Sequence, residues 1–141
     1  MEKEHVLVYS KEKIFRALKE VLSKKDEIIF AYVHGSFLDG VLFNDIDIAL
    51  FLDDKKIDCE ETAYCERSSS ELSERIHYTV DVHIMNRKPV GFLHSVFKHG
   101  KLVFSRDEEL RSDLIERTSM AYMDFFELSM EYVRDLVYDE N

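Results

Sequence analysis

Two aspartates one residue apart, Asp45 and Asp47, open the apolar run that ends at Leu52. In an extended segment alternate side chains share a face, so both carboxylates point the same way as Ala49 and Phe51, while Ile46, Ile48, Leu50 and Leu52 point the other. The pair then lies roughly 7 Å apart along the strand, a span that one or two hard divalent cations bridge. Two like charges on one face of an apolar strand call for such a cation. The alternative is a strand end in solvent, where aspartate is an ordinary turn or cap residue.

A second feature precedes them. Gly35-Ser36 closes the apolar run Ile28 to Val33, and eight residues separate it from Asp45. Glycine lets a phosphate or another backbone come close. Ser36 adds a hydroxyl and a main-chain N–H at the start of a short helical turn, which suits an anion. The two halves describe a pocket with polyphosphate on one side and metal ions on the other.

The third is Asp81, in the middle of Tyr78 to Met85. Alternation sends Val80, Val82 and Ile84 to one side and Thr79, Asp81, His83 and Met85 to the other. Aspartate is disfavoured inside a β-branched strand, and burying it without a partner costs several kcal/mol. Either this is an edge strand with Asp81 in solvent, or Asp81 completes a trio with Asp45 and Asp47. His83, one strand pitch away on the same face, and His34 are candidates for nucleotide contact or for a structural role.

The elements that must position these groups follow from the pattern. Ser10 can cap a helix from about Lys11 to Lys24, with Ile14, Leu18, Val21 and Leu22 at helical spacing; residues 5–9 carry no clear signal. Glu27 to His34 reads as a buried strand, and Phe37 to Val41 as a short helix or loop carrying Gly40. Asn44 precedes the strand Asp45 to Leu52. Glu60 to His77 is an amphipathic helix weakened at Ser68-Ser69-Ser70. Asn86 and Pro89 begin a helix that runs to His99 and stops at Gly100 as a left-handed cap. Lys101 to Phe104 is a fourth strand, and Ser105 to Glu108 has the capping-box pattern. The last helix, about 107–138, spreads its apolar residues over roughly 200°, against the ≳100° stripe of a surface helix. One part should pack on the domain and the remainder on a second chain, unless the helix is wedged between two elements of its own domain.

Gly35-Ser36 followed by Asp45-Ile46-Asp47 resembles the signature of the DNA polymerase β-like nucleotidyltransferase superfamily, with a shorter loop than is usual there. Length and continuation resemble its minimal members, the MntA type that acts as antitoxin to HEPN-domain toxins, from about Ile14 onward. The resemblance implies an α+β fold: a small mixed sheet of about four strands flanked by helices, with a core at about 11–104 and a long C-terminal helix, in one domain spanning 1–141. It implies a metal-dependent enzyme moving AMP from ATP to a tyrosine of a HEPN ribonuclease toxin. Asp45, Asp47 and Asp81 would be the catalytic and metal-binding residues, holding two Mg2+ ions, with Gly35 and Ser36 binding the nucleotide. Three rivals remain: transfer to an antibiotic hydroxyl, for which little chain is left over, a binding-only antitoxin whose pocket goes unused, and a plain α/β domain with coincidental aspartates.

Composition narrows the field. A hydrophobic fraction of 45% and a charged fraction of 34% are those of a soluble globular chain. No apolar run reaches the roughly 20 residues of a membrane span, and the first residues are no signal peptide, so a cytoplasmic location without membrane contact is expected. A net charge of −10 argues against direct nucleic-acid binding. The expected partner is a HEPN protein held through the C-terminal helix, with a homodimer as a further arrangement. Cys59 and Cys65 share a helical stripe with Leu72 and Ile76 and read as core, without a disulfide.

Overall fold

The computed structural model describes residues 2–39 and 45–138, with residues 2–10 and 39 as backbone only. Four strands form one mixed sheet: β1 (Ile28–His34), β2 (Asp45–Leu52), β3 (Thr79–Ile84) and β4 (Lys101–Ser105), in the order β3-β2-β1-β4. β1 runs antiparallel to β2 and β4, whereas β2 and β3 are parallel. That parallel pair needs a crossover, supplied by the helix α3 (Glu61–Ile76).

The strand alternation read from sequence builds two apolar layers. On one face Ile46, Ile48, Leu50 and Leu52 meet Val80, Val82 and Ile84 beneath α1 (Glu2–Ser23) and α3. On the other, Phe30, Tyr32, Ala49 and Met85 meet Val96, Phe92 and Phe97 of α4 (Val90–His99) and Leu114 of α5 (Glu108–Tyr138). Covering both faces explains why β1 reads as a continuous apolar run. A four-residue helix, α2 (Ser36–Asp39), follows β1. Gly40, Val41 and Asn44 lie outside the described residues.

Several boundaries differ from the sequence expectation, each for a local reason. α1 begins at Glu2, so Ser10 sits inside it and caps nothing; no glycine or proline in the first ten residues interrupts the helix. Asn86 does not open α4. Its amide accepts from the Leu52 N–H at 2.9 Å and donates to the Leu52 carbonyl at 2.7 Å, finishing β2 as a strand neighbour would. Gly100 is not a left-handed cap, since its φ is −76°. It is small because a Cβ there would stand 2.5 Å from the Val96 carbonyl and 3.2 Å from Tyr32. The left-handed cap falls instead on His77, at φ 65°, ending α3. Ser105 stays in β4, paired with Phe30, and Asp107 caps α5 by accepting from the Leu110 N–H at 3.0 Å.

Two polar devices replace missing backbone partners. Arg106 donates to the carbonyls of Ser23, Lys25 and Ile28, gathering the end of α1 and the start of β1. Along the open side of β3, the Val80 N–H donates to Ser73 Oγ at 2.9 Å and the Val82 N–H to Ser69 Oγ at 3.1 Å. Cys65, one turn further on, faces the Ile84 backbone in the same way. Residues four apart on the helix thus meet residues two apart on the strand. The serines that weaken α3 by propensity seal a sheet edge.

Among the described residues, α5 is anchored in its first half. The Arg111 guanidinium donates to the Tyr32 hydroxyl at 2.7 Å, Thr118 is buried, and Tyr122 stacks on His94 with ring centroids 3.6 Å apart. Beyond that point Phe125, Phe126, Leu128, Met130, Tyr132 and Val137 are each more than half exposed. The wedged alternative is excluded for this half. Among the described residues no helix is long and apolar enough to cross a membrane.

Candidate active site

The site lies on the α4 side of the sheet, at the end that α4 leaves uncovered. Cross-strand pairing places His34 opposite Asp47 on β1 and β2, and Asp47 opposite Asp81 on β2 and β3. Three polar side chains therefore form one row across three strands, on a shared face. The next row inward is Tyr32, Ala49 and His83. Ala49 is the small residue between them, which leaves His83 room to lean toward the acids.

His83 does so. Its Nε2 stands 3.1 Å from Asp81 Oδ2. Asp47, Asp81 and His83 each offer one ligand atom, and these atoms all lie within 4.8 Å of one another. Two carboxylate oxygens and an imidazole nitrogen at this spacing are a donor set that fits a divalent cation. Without a cation, two carboxylates side by side on adjacent strands repel.

Asp45 stands one row further out, paired with Thr79 and exposed at the head of β2. Its carboxylate is not part of the Asp47–Asp81–His83 group. It does border, with Asp81 and Thr79, an open cleft of about 600 Å³ beside α3. The structure thus brings Asp47 and Asp81 together, holds Asp45 at the rim, and adds His83. The signal for His83 was its place two residues from Asp81 on the same face.

Gly35 turns the chain from β1 into α2 at φ +83°, where a side chain is strained. A Cβ there would also stand 2.4 Å from Asp47 Oδ2. Both restrictions select glycine, and the second ties it to the carboxylate. Ser36, next in sequence, is exposed at the first position of α2.

The inner wall is aromatic. The rings of His34, His83 and Phe92 lie with centroids 5.7 to 6.0 Å apart in each pairing, and Lys88 Nζ is 5.7 Å from the Phe92 centroid. Burial holds the His34 imidazole below its usual pKa, against the pull of Asp47 and Asp81 and with the help of His83. Its Nε2 is buried with no hydrogen-bond partner among the described residues.

The chain is similar in fold to several solved structures. A chain from the complex of a tri-AMPylated Shewanella oneidensis HEPN toxin with an MNT antitoxin superposes with a TM-score of 0.63 at 16% identity, covering 93% of this chain and 98% of that one. A chain of a toxin–antitoxin structure with AMP-PNP gives 0.66 at 17% identity, with 90% and 98% covered. The MntA–HepT toxin–antitoxin gives 0.62 at 16%, with 92% and 97% covered. No curated protein matches by sequence. The family model described as "Polymerase beta, Nucleotidyltransferase" matches residues 16–109, which takes in the Gly35-Ser36 turn and all three aspartates. This chain belongs to that nucleotidyltransferase family.

Proposed function

We propose that this nucleotidyltransferase moves AMP from ATP to a protein hydroxyl, a tyrosine of a partner HEPN ribonuclease toxin, and so acts as its antitoxin. The observation that carries the reading is the register pairing of Asp47 with Asp81 beside a glycine against which the Asp47 carboxylate packs. The likeness to chains from HEPN–MNT complexes supports the partner class, and the exposed apolar half of α5 supplies a surface for it. The AMP-PNP complex of a structural neighbour supports ATP as the nucleotide.

In the reaction the acceptor oxygen attacks the α-phosphorus of ATP. The new O–P bond forms as the bond to the bridging oxygen breaks, and pyrophosphate leaves. Asp81, exposed at the mouth of the site, takes the acceptor proton. Gly35 and Ser36 bind phosphate oxygens at the turn. Asp47 and Asp81, with Asp45 at the rim of the site, would hold the Mg2+ ions. Bound divalent cations would supply charge neutralisation at the attacking and leaving oxygens. Phe92 and His34 line the apolar inner side of the site.

A second reading has one observation in its favour. Asp45 stands apart from the other acids, as it would in a binding-only antitoxin that neutralises its toxin by contact through α5.

The experiment is to incubate the chain with α-labelled ATP, magnesium and a candidate HEPN partner. Label on a toxin tyrosine, lost with Asp47→Ala, is the expected result. Label that persists in Asp47→Ala overturns the site, and neutralisation with no label selects the binding-only reading.

A further inference from the structure

We propose that His83 is a nitrogen ligand of the ion carried by Asp47 and Asp81, and that the site is thereby tuned to Mn2+ over Mg2+. The inference rests on the metal-dependent reading above and adds a residue and an ion preference to it. Three observations carry it. His83 Nε2 and Asp81 Oδ2 are 3.1 Å apart, about the separation of neighbouring ligands on an ion with bonds of roughly 2.1 Å. Asp47 offers an oxygen within 4.8 Å of both, so the three atoms bound one small volume. Asp45, the carboxylate that an all-oxygen site would call on, lies outside that volume.

The surrounding residues fix the imidazole where it is. Ala49, its neighbour across the sheet, is too small to push it away. Phe92 meets it edge to face with centroids 5.9 Å apart, and His34 lies at 6.0 Å. A half-buried ring held between two others has few rotamers left to lose on binding an ion. With an ion in place, the direct contact between His83 and Asp81 is replaced by two bonds to the metal. Imidazole nitrogen favours first-row transition metals, while Mg2+ favours oxygen and water. Swapping one oxygen donor for nitrogen therefore moves preference toward Mn2+.

The test is metal binding by the full chain without nucleotide or toxin, so it does not depend on catalysis. Electron spin-echo spectra of the Mn2+-loaded protein should show coupling to one imidazole nitrogen. That coupling should vanish in His83→Gln and persist in His34→Gln. By calorimetry, His83→Gln should weaken Mn2+ binding at least about tenfold, the range seen for groups that support metal ligands, while Mg2+ binding changes much less. Thermal melts of the metal-free variants check that each is folded. Absence of nitrogen coupling in the wild-type chain overturns the proposal whatever the variants do, as does coupling that survives His83→Gln or disappears with His34→Gln. Nitrogen coupling in a chain that transfers no AMP would sink the proposed function and leave His83 as a ligand. AMP transfer with no nitrogen coupling would do the reverse.

Discussion

Gly35 and Asp47 are in contact: any side chain at residue 35 would begin 2.4 Å from Asp47 Oδ2. The turn that leaves β1 and the Asp47 carboxylate of β2 are therefore one unit, although eleven residues of sequence lie between Gly35 and Asp47.

Gly35→Ala should accordingly disturb structure and site together. The left-handed backbone costs about 1–2 kcal/mol for a residue with a Cβ, and the methyl group must displace Asp47 as well. We expect a loss of at least that size in urea denaturation, with AMP transfer abolished. Ser36→Ala, at an exposed position without such crowding, should stay within about 0.5 kcal/mol of wild type and lower the affinity for ATP.

Divalent metal should stabilise the fold, because Asp47 and Asp81 face each other across adjacent strands. At a hundred times its dissociation constant, a ligand that binds only the folded state adds about 2.7 kcal/mol, which raises Tm by several degrees in a chain of this size. Magnesium with ATP should give this rise by scanning calorimetry. Asp47→Asn and Asp81→Asn should lose it, yet melt no lower than wild type without metal, since each removes a like-charge pair.

The exposed half of α5 should matter for binding and not for folding. Phe126→Glu and Met130→Glu alter side chains that are 55% and 53% exposed, so each should leave stability within about 0.5 kcal/mol of wild type. Both should weaken binding to the proposed HEPN partner, measured by size-exclusion chromatography with light scattering. The same run reports whether the chain alone is a homodimer and whether these changes break it.

Alkaline pH should weaken the fold through two tyrosines. Burial raises Tyr64, helped by its hydrogen bond to Glu27 at 2.9 Å, and burial also raises Tyr32 against the opposing pull of Arg111. A raised folded pKa means that stability is fully present below the ordinary tyrosine value near 10 and declines as pH rises above it, where the unfolded chain loses protons that the folded one keeps. Urea denaturation at pH 8 and pH 10.5 should show this fall. Tyr64→Phe should flatten it, at a cost of about 1 kcal/mol at pH 8 for the Glu27 carboxylate left unpaired.

What could be read in advance was whatever repeats with period two. Asp45–Leu52 has the boundaries the alternation gives, because one of its faces is apolar throughout, and Asp81 stood out as a charge that a β-branched strand does not favour. His83 was visible as a neighbour of Asp81 but not as its partner. Its lean depends on Ala49, which lies on another strand. Within Ser68-Ser69-Ser70 of α3, Ser69 looks only like a poor helix former until Val82 is set beside it. Where one residue type has two uses the pattern misleads: Ser10 lies inside α1 instead of starting it, and Gly100 ends α4 where expected but as a spacer against Tyr32, not as a left-handed cap.

The hydroxyls along β3 also restrict how this chain meets others. An extended guest peptide joins a sheet by taking up the donors and acceptors of a bare outer strand, and here the donors of Val80 and Val82 are already spoken for. At those two positions of the outer strand β3 a guest ribbon would find no donor to take up, so strand addition along that flank is disfavoured by the fold's own side chains.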